Sequence, residues 1–208
     1  MVEKNTDILC IVPPFSYGNY ADIGPKCPNL GIASIAGYLE ENNIKVKIVD
    51  AFVLELTFDQ IKEEIKKHNP HAVLIGSVTA THSASLKIME IAKEVDADMQ
   101  IVIGGPHVTN APESAFPQAN YVVIGEGEET ALELGNYILG KTNVKKEDIQ
   151  GIAYQEDGKI KRTEKRPFIT YGCLQSVWVV RCRKEIHNNG YIQRLSIQML
   201  ILCKFKKF

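Results

Sequence analysis

Cysteine is scarce in this chain, five residues in 208, an odd number with no C-x-x-C pair and none of the compact spacing of a disulfide framework. Together with the lack of a charged-then-apolar leader, this points to a reducing, cytoplasmic setting. No apolar run approaches the roughly 18 uninterrupted residues of a membrane span, which excludes a transmembrane helix. Charge of either sign is not in excess: 24 Lys+Arg face 25 Asp+Glu for a net −1, so a basic nucleic-acid binder is excluded by charge. Neither G-x-G-x-x-G nor G-x-x-x-x-G-K-[ST] occurs, and nicotinamide and nucleoside-triphosphate chemistry lose their main support. Tryptophan occurs once, and histidine is missing from the first sixty-seven residues. What remains is ordinary globular material, 45% hydrophobic and 24% charged, enough for one domain of roughly 100–150 residues plus an extension.

The near-zero balance conceals a split. Residues 168–208 carry seven basic side chains (Arg181, Arg183, Lys184, Arg194, Lys204, Lys206, Lys207) against Glu185, a net +6 that leaves −7 for residues 1–167. This tail also holds three of the cysteines and mixes apolar with basic residues without turn chemistry. Two readings stand beside each other: a basic amphipathic end for a membrane surface or an acidic partner, or a remnant of a longer chain, truncated or altered in frame.

Before the tail, short β-branched runs alternate with helix-length amphipathic stretches, the pattern of a parallel α/β sheet. Strands are expected at Asp7–Val12, Lys45–Val49, His71–Gly76, Met99–Gly104 and Tyr121–Ile124. All but the second are apolar on both faces, as buried parallel strands are, and the second suits a sheet edge. Helices are expected near Asn29–Asn42, Phe58–Lys67, Ser83–Glu94, Pro112–Phe116 and Glu128–Leu139. Five such units fit a flavodoxin-like doubly wound five-stranded sheet of order 2-1-3-4-5, with the ligand crevice at the carboxyl ends of the strands. Glu156-Asp157-Gly158, between two short strand candidates, signals a C-terminal β-hairpin.

The loops at those strand ends carry what chemistry there is. After strand 1, the stretch from Pro13 to Pro28 is long and holds Ser16, Tyr17 and Tyr20, aromatics able to cover a large flat ligand or to pack locally. After strand 3, Ser77, Thr79, Thr81 and Ser83 crowd four hydroxyls into seven positions, more than one helix cap requires. After strand 4, Gly104-Gly105 removes two Cβ atoms where a ligand must approach the backbone, followed by Pro106-His107. After strand 5 comes Gly125-Glu126-Gly127-Glu128, whose acids suit helix initiation and whose glycines would face a ligand.

In order and spacing, these segments resemble the cobalamin-binding domain found at the N-terminus of cobalamin-dependent radical S-adenosylmethionine enzymes. The resemblance is carried by Ile8–Pro14, Pro28–Ala33, Val46–Ala51, Ile75–Thr79, Ile103–His107, Val123–Glu128 and Gly151–Tyr154, across about residues 7–168. It implies a cobalamin-binding domain over 1–142, a linker and hairpin over 143–168, and the tail over 169–208. It further implies that the nucleotide tail of cobalamin threads between strands 1 and 3 while the corrin lies over the strand ends. Ser77 and Thr79 would hydrogen-bond the tail, Gly104 and Gly105 would give it room, and Gly125 and Gly127 would line the corrin side. Ser16, Tyr17, Thr81 and His107 complete the expected cofactor contacts.

Two departures refine the expectation. The D-x-H-x-x-G ligand motif of methionine-synthase-like members is absent, because Asp22–Cys27 contains no histidine, so no His of the strand 1 loop can ligate cobalt. The C-x-x-x-C-x-x-C that holds a radical-enzyme cluster is also absent, since Cys173, Cys182 and Cys203 lie far apart. The expectation is a binding module with no iron–sulfur cluster of its own, not catalytic alone, acting with a catalytic domain in trans. Two alternatives share the fold. An FMN protein wants hydroxyls directly after strand 1, and a signalling receiver wants acids where Pro13-Pro14 and Ser77-Val78 stand.

Overall fold

The computed structural model describes residues 4–15 and 28–168 and, as backbone, the strands 178–186 and 192–201. The chain divides into two compact units, 1–168 and 169–208.

In the first unit, each parallel strand is sorted by its own alternation. Along β1 (Thr6–Val12), Leu9 and Ile11 enter one buried cluster while Ile8, Cys10 and Val12 enter another on the opposite face. The same division runs through β3 (Pro70–Gly76) and β4 (Gln100–Gly104), so both faces need helical cover. Ile61 and Ile65 of α2 (Phe58–His68) with Ile88 and Met89 of α3 (His82–Val95) cover the first face. Ile32, Ala36 and Leu39 of α1 (Leu30–Glu41) with Ala131 and Leu134 of α5 (Glu128–Ile138) cover the second. β2 (Val46–Asp50) lies at the edge, where Lys47 stays exposed.

The parallel order 2-1-3-4-5 is as expected, but the sheet has seven strands rather than five. β5 (Tyr121–Val123) is only three residues long, and its outer edge would leave backbone groups unpaired. The hairpin fills that edge: β6 (Ile152–Glu156) pairs antiparallel with β5, and β7 (Lys159–Arg162) pairs antiparallel with β6. Ile152, Ala153 and Tyr154 are buried in the sheet, and the new edge, KIKR, is exposed at every position and guarded by charge. The hairpin is therefore part of the sheet and not an extension beside it.

The helix expected near Pro112–Phe116 is a 3₁₀ turn, Pro112–Ala115, and the helical turn that follows strand 4 comes earlier, as α4 (Pro106–Asn110). Pro106 at its first position, where no N–H is needed, is the signal that marks it. In the second unit β8 (Trp178–Ile186) and β9 (Ile192–Ile201) form an antiparallel pair.

Candidate functional site

At the carboxyl end of the sheet, one row of side-chain positions is half empty. Gly76 pairs with Gly104 in register, and the row continues to Val123 on β5, all on the face covered by α1 and α5. Alternation would put two apolar side chains there, and glycine puts none. A Cβ built on Gly104 would sit 3.4 Å from Val123 Cβ, and one on Gly76 would sit 3.4 Å from the Ile32 side chain. The missing side chains leave a cavity of about 290 Å³, walled by Ile32 and Ile35 of α1, Val123 of β5, and Gly127 and Ala131 at the start of α5. Its floor is glycine backbone and its walls are apolar, as a slot for a bulky ligand requires. A second cavity of about 180 Å³ lies toward β1, between Val12, Phe15, Phe52 and Thr81, and shares Asn29, Gly76, Ser77 and Val78 with the first.

The entrance is held by polar bonds. Asn29 caps α1, its Oδ1 accepting from Ile32 N–H at 3.0 Å. The Asn29 N–H in turn bonds Asp50, a carboxylate 3% exposed at the end of β2 that also accepts from Val53 N–H at 3.0 Å. Burial pushes the Asp50 carboxyl upward, and backbone donors from Val53, Asn29 and Phe52 offset part of the rise. Across the opening, Ser34 Oγ donates to Glu128 Oε1 at 2.7 Å, joining α1 to α5.

The hydroxyl-rich loop is occupied with its own neighbours. Ser77, 2% exposed, lines both cavities, but its Oγ lies 3.0 Å from His82 Nδ1. Thr79 Oγ1 lies 3.2 Å from His107 Nδ1, and the two imidazoles stack with centroids 3.9 Å apart. Thr81 Oγ1 closes the turn on Val78, and Ser85 Oγ donates back to Gly76 and Thr81 carbonyls. Only a Ser77 whose partner His82 carries its proton on Nδ1 keeps an O–H to donate to a ligand.

Of the expected contacts, Ser77, Gly104, Gly105, Gly125 and Gly127 line the larger cavity, and Thr81 lines the smaller. Thr79 and His107 stand beside the opening and line neither, while Ser16 and Tyr17 lie outside the described residues. Gly127 is buried against α1, where a Cβ would meet Ile35 Cδ1 at 2.7 Å, while Gly125 is exposed at the rim. The larger cavity sits over β3, β4 and β5, whereas the tail was expected between strands 1 and 3. Gly76, Asn29, Ile32, Ile35 and Asp50 were not singled out as contacts, although Gly76 ending an apolar strand carries the same signal as Gly104. Cys10 is fully buried and its thiol is pushed up to about 12 by burial, with Glu40 adding to the rise, which makes it a core residue without reactivity.

The histidine stack gives the site a pH response. Burial, and then the adjacent His107, pull His82 below its ordinary value of 6.5, with the Ser114 backbone offsetting part of the fall. The unfolded chain then binds the proton more readily, so the contribution of this site is complete above 6.5 and is lost as pH falls below it. Melting temperature should be lower at about pH 5.5 than at about pH 7.5. Replacement of His82 by Phe should reduce that difference and leave the part due to His68 and His71, which burial shifts in the same direction. An identical pH dependence in the variant would remove His82 from the account.

A glycine-floored slot at the carboxyl ends of a doubly wound sheet, with a second cavity beside it toward the β1/β3 switch point, is where this fold class binds its ligands. The B12 binding domain family matches residues 18–135, and the chain belongs to that family. It is 35% identical over 169 residues to the uncharacterized methyltransferase PH0819 of Pyrococcus horikoshii, covering 80% of this chain and 36% of that protein. It is 32% identical over 166 residues to the anaerobic magnesium-protoporphyrin IX monomethyl ester cyclase of Rubrivivax gelatinosus, covering 77% and 30%. The chain thus spans about a third of the length of the curated relatives it matches. Among solved structures, the fold matches the radical S-adenosylmethionine methyltransferase TsrM of Kitasatospora setae, with cobalamin and a [4Fe-4S] cluster bound. That match has a TM-score of 0.66 at 15% identity and covers 81% of this chain and 30% of TsrM. The cobalamin-dependent radical enzyme OxsB with aqua-cobalamin matches with the same TM-score at 18% identity, covering 78% and 23%.

Proposed function

We propose that residues 4–168 hold cobalamin, with its nucleotide tail in the slot over Gly76 and Gly104 and its corrin across the strand ends. The observation that carries this reading is the paired glycines: two adjacent strands give up a core side chain at the same level, which leaves unpacked space that a bound ligand would fill. Ser77, the Asn29-capped start of α1 and the first turn of α5 would hold the tail. Gly125, Val78 and the loop containing Ser16 and Tyr17 would face the corrin. Bound cobalamin supplies a cobalt centre able to carry a methyl group. The residues around the slot contribute binding, orientation and exclusion of water. We take it to be the cobalamin-holding part of a system resembling the radical S-adenosylmethionine methyltransferases, with the iron–sulfur domain supplied by another segment or chain.

The test is a titration of the full chain with hydroxocobalamin, read by visible spectrum after gel filtration. Corrin should co-elute with the protein, and its spectrum should show the nucleotide base released from cobalt. A folded chain that passes corrin and retains FMN instead would overturn the reading.

A further inference from the structure

The hairpin that completes the sheet also returns the chain to the cavity's side of the domain. β5 runs toward the end where the cavity opens, β6 runs away from it, and β7 runs back. Residues 163–168 therefore continue toward the mouth. They belong to no strand, yet they are fastened to cavity-forming elements along two routes.

The first route passes through Gly151. Its N–H donates to the Glu164 carbonyl at 2.8 Å, and its own carbonyl accepts from Ile124 N–H at 2.8 Å, one residue before the glycine loop at the rim. Gly151 has φ +77°, and a Cβ there would press on Thr130 Oγ1 at 3.1 Å, Ile124 O at 3.3 Å and Arg166 Cβ at 3.4 Å, so three elements converge on its bare Cα. The second route is Arg166, whose side chain is only 11% exposed. Its Nε donates to Thr130 Oγ1 at 2.9 Å, and its two terminal nitrogens donate to Glu129 at 3.1 Å and Glu133 at 2.5 Å. Thr130 is fully buried and its hydroxyl donates a hydrogen bond to the Gln150 carbonyl at 3.3 Å, closing the circuit back to Gly151.

An arginine at a helix N-terminus opposes the helix dipole, so it adds nothing there on the helix's account. What it does is bind the departing segment to the turn of α5 whose other side, Gly127, Glu128 and Ala131, walls the cavity. We propose that Arg166 is a positioning residue that couples occupancy of the cavity to the order of the exit segment 163–168. A ligand that fixes the α5 turn and the Gly125 loop then fixes the exit path, and the reverse holds to the same extent because coupling between two equilibria is reciprocal. This inference rests on the cobalamin reading of the cavity.

The experiment is amide hydrogen exchange on the full chain, with and without saturating hydroxocobalamin, in the wild type, Arg166→Gln and Arg166→Lys. In the wild type, corrin should slow exchange at Gly151 and Thr163, the two amides that fasten the exit segment, and at Ala131, whose N–H bonds Gly127 inside the cavity wall. In Arg166→Gln the slowing at Ala131 should persist, the slowing at Gly151 and Thr163 should vanish, and corrin affinity should fall about fivefold. Lysine, without the planar fork, should restore only part of either effect. The proposal is overturned if Arg166→Gln loosens Gly151 without corrin yet binds corrin as tightly as the wild type, a purely structural outcome. It is equally overturned if wild-type protein retains corrin with no change at Gly151. A chain that retains no corrin refutes the cavity reading, and this coupling with it.

Discussion

Gly104→Val should fold as well as the wild type and lose cobalamin. Gly104 has ordinary backbone geometry, and its added Cβ would meet only Val123, at 3.4 Å from Cβ and 3.8 Å from the carbonyl, normal contact distances. Valine suits a strand, and in the ligand-free chain it would fill space now unpacked, so stability should change by less than about 1 kcal/mol in either direction. The same side chain occupies the floor of the slot. Affinity for hydroxocobalamin should fall by about 100-fold or more, equivalent to roughly 2.7 kcal/mol, because the tail cannot enter a filled slot and the protein cannot repack around it. Gly76→Val should behave alike, and the double variant should lose little beyond either single one, since both close one opening. Visible-spectrum titration beside thermal melting separates the two effects. Unaltered corrin retention by a well-folded Gly104→Val chain would move the nucleotide tail elsewhere, with the smaller cavity beside β1 as the next place to test.

Much of this site could be read before any coordinates. Near-continuous apolar strands such as Ile8–Val12 and Ala72–Ile75 need cover on both faces, and that need fixes a doubly wound sheet with its crevice at the strand ends. Gly104-Gly105 marked one half of the slot. Its other half, Gly76, went unmarked because a single glycine ending a strand says nothing until register shows which residue lies beside it. The position of the slot depends on the same information: alternation assigns faces within a strand, but only pairing aligns Gly76, Gly104 and Val123 in one row. The hydroxyl cluster misled in a different way. Ser77 and Thr79 are the kind of residues that grip a phosphate, yet each is paired with a histidine from a helix start, a contact between residues 5 and 28 positions apart. Both hairpin strands are legible from the Asp-Gly turn, but their joining the sheet is not, because exposed KIKR has no buried face to assign it and the place of the pair is set by the β5 edge it covers.

Glycines 104 and 105 are adjacent and look equivalent in sequence, yet their replacement should fail for opposite reasons. Where Gly104→Val removes the ligand and spares the fold, Gly105→Ala should damage the fold itself. Gly105 has φ +113°, a conformation that a Cβ makes costly, by about 1–3 kcal/mol before any collision is counted. The collision is severe: the new Cβ would stand 2.5 Å from Ser77 O, 3.0 Å from Ser77 N and 3.2 Å from Ser77 C, all backbone atoms. Ser77 has no freedom to retreat, because its N–H donates to Gly104 O at 2.8 Å and its carbonyl accepts from His107 N–H at 3.3 Å. Relief means breaking one of those bonds, and with it the junction of β3, β4 and α4. The total loss should be about 3 kcal/mol or more, which for a unit of this size lowers the melting temperature by about 10 °C. Cobalamin affinity should fall as well, since Ser77 lines both cavities, but the fall would follow the displaced backbone and not a filled slot. Gly104→Ala, made in parallel, should melt within about 2 °C of the wild type. A Gly105→Ala chain equally stable would mean that the strand ends do not cross-bond through Ser77, and the geometry of the slot would have to be redrawn from there.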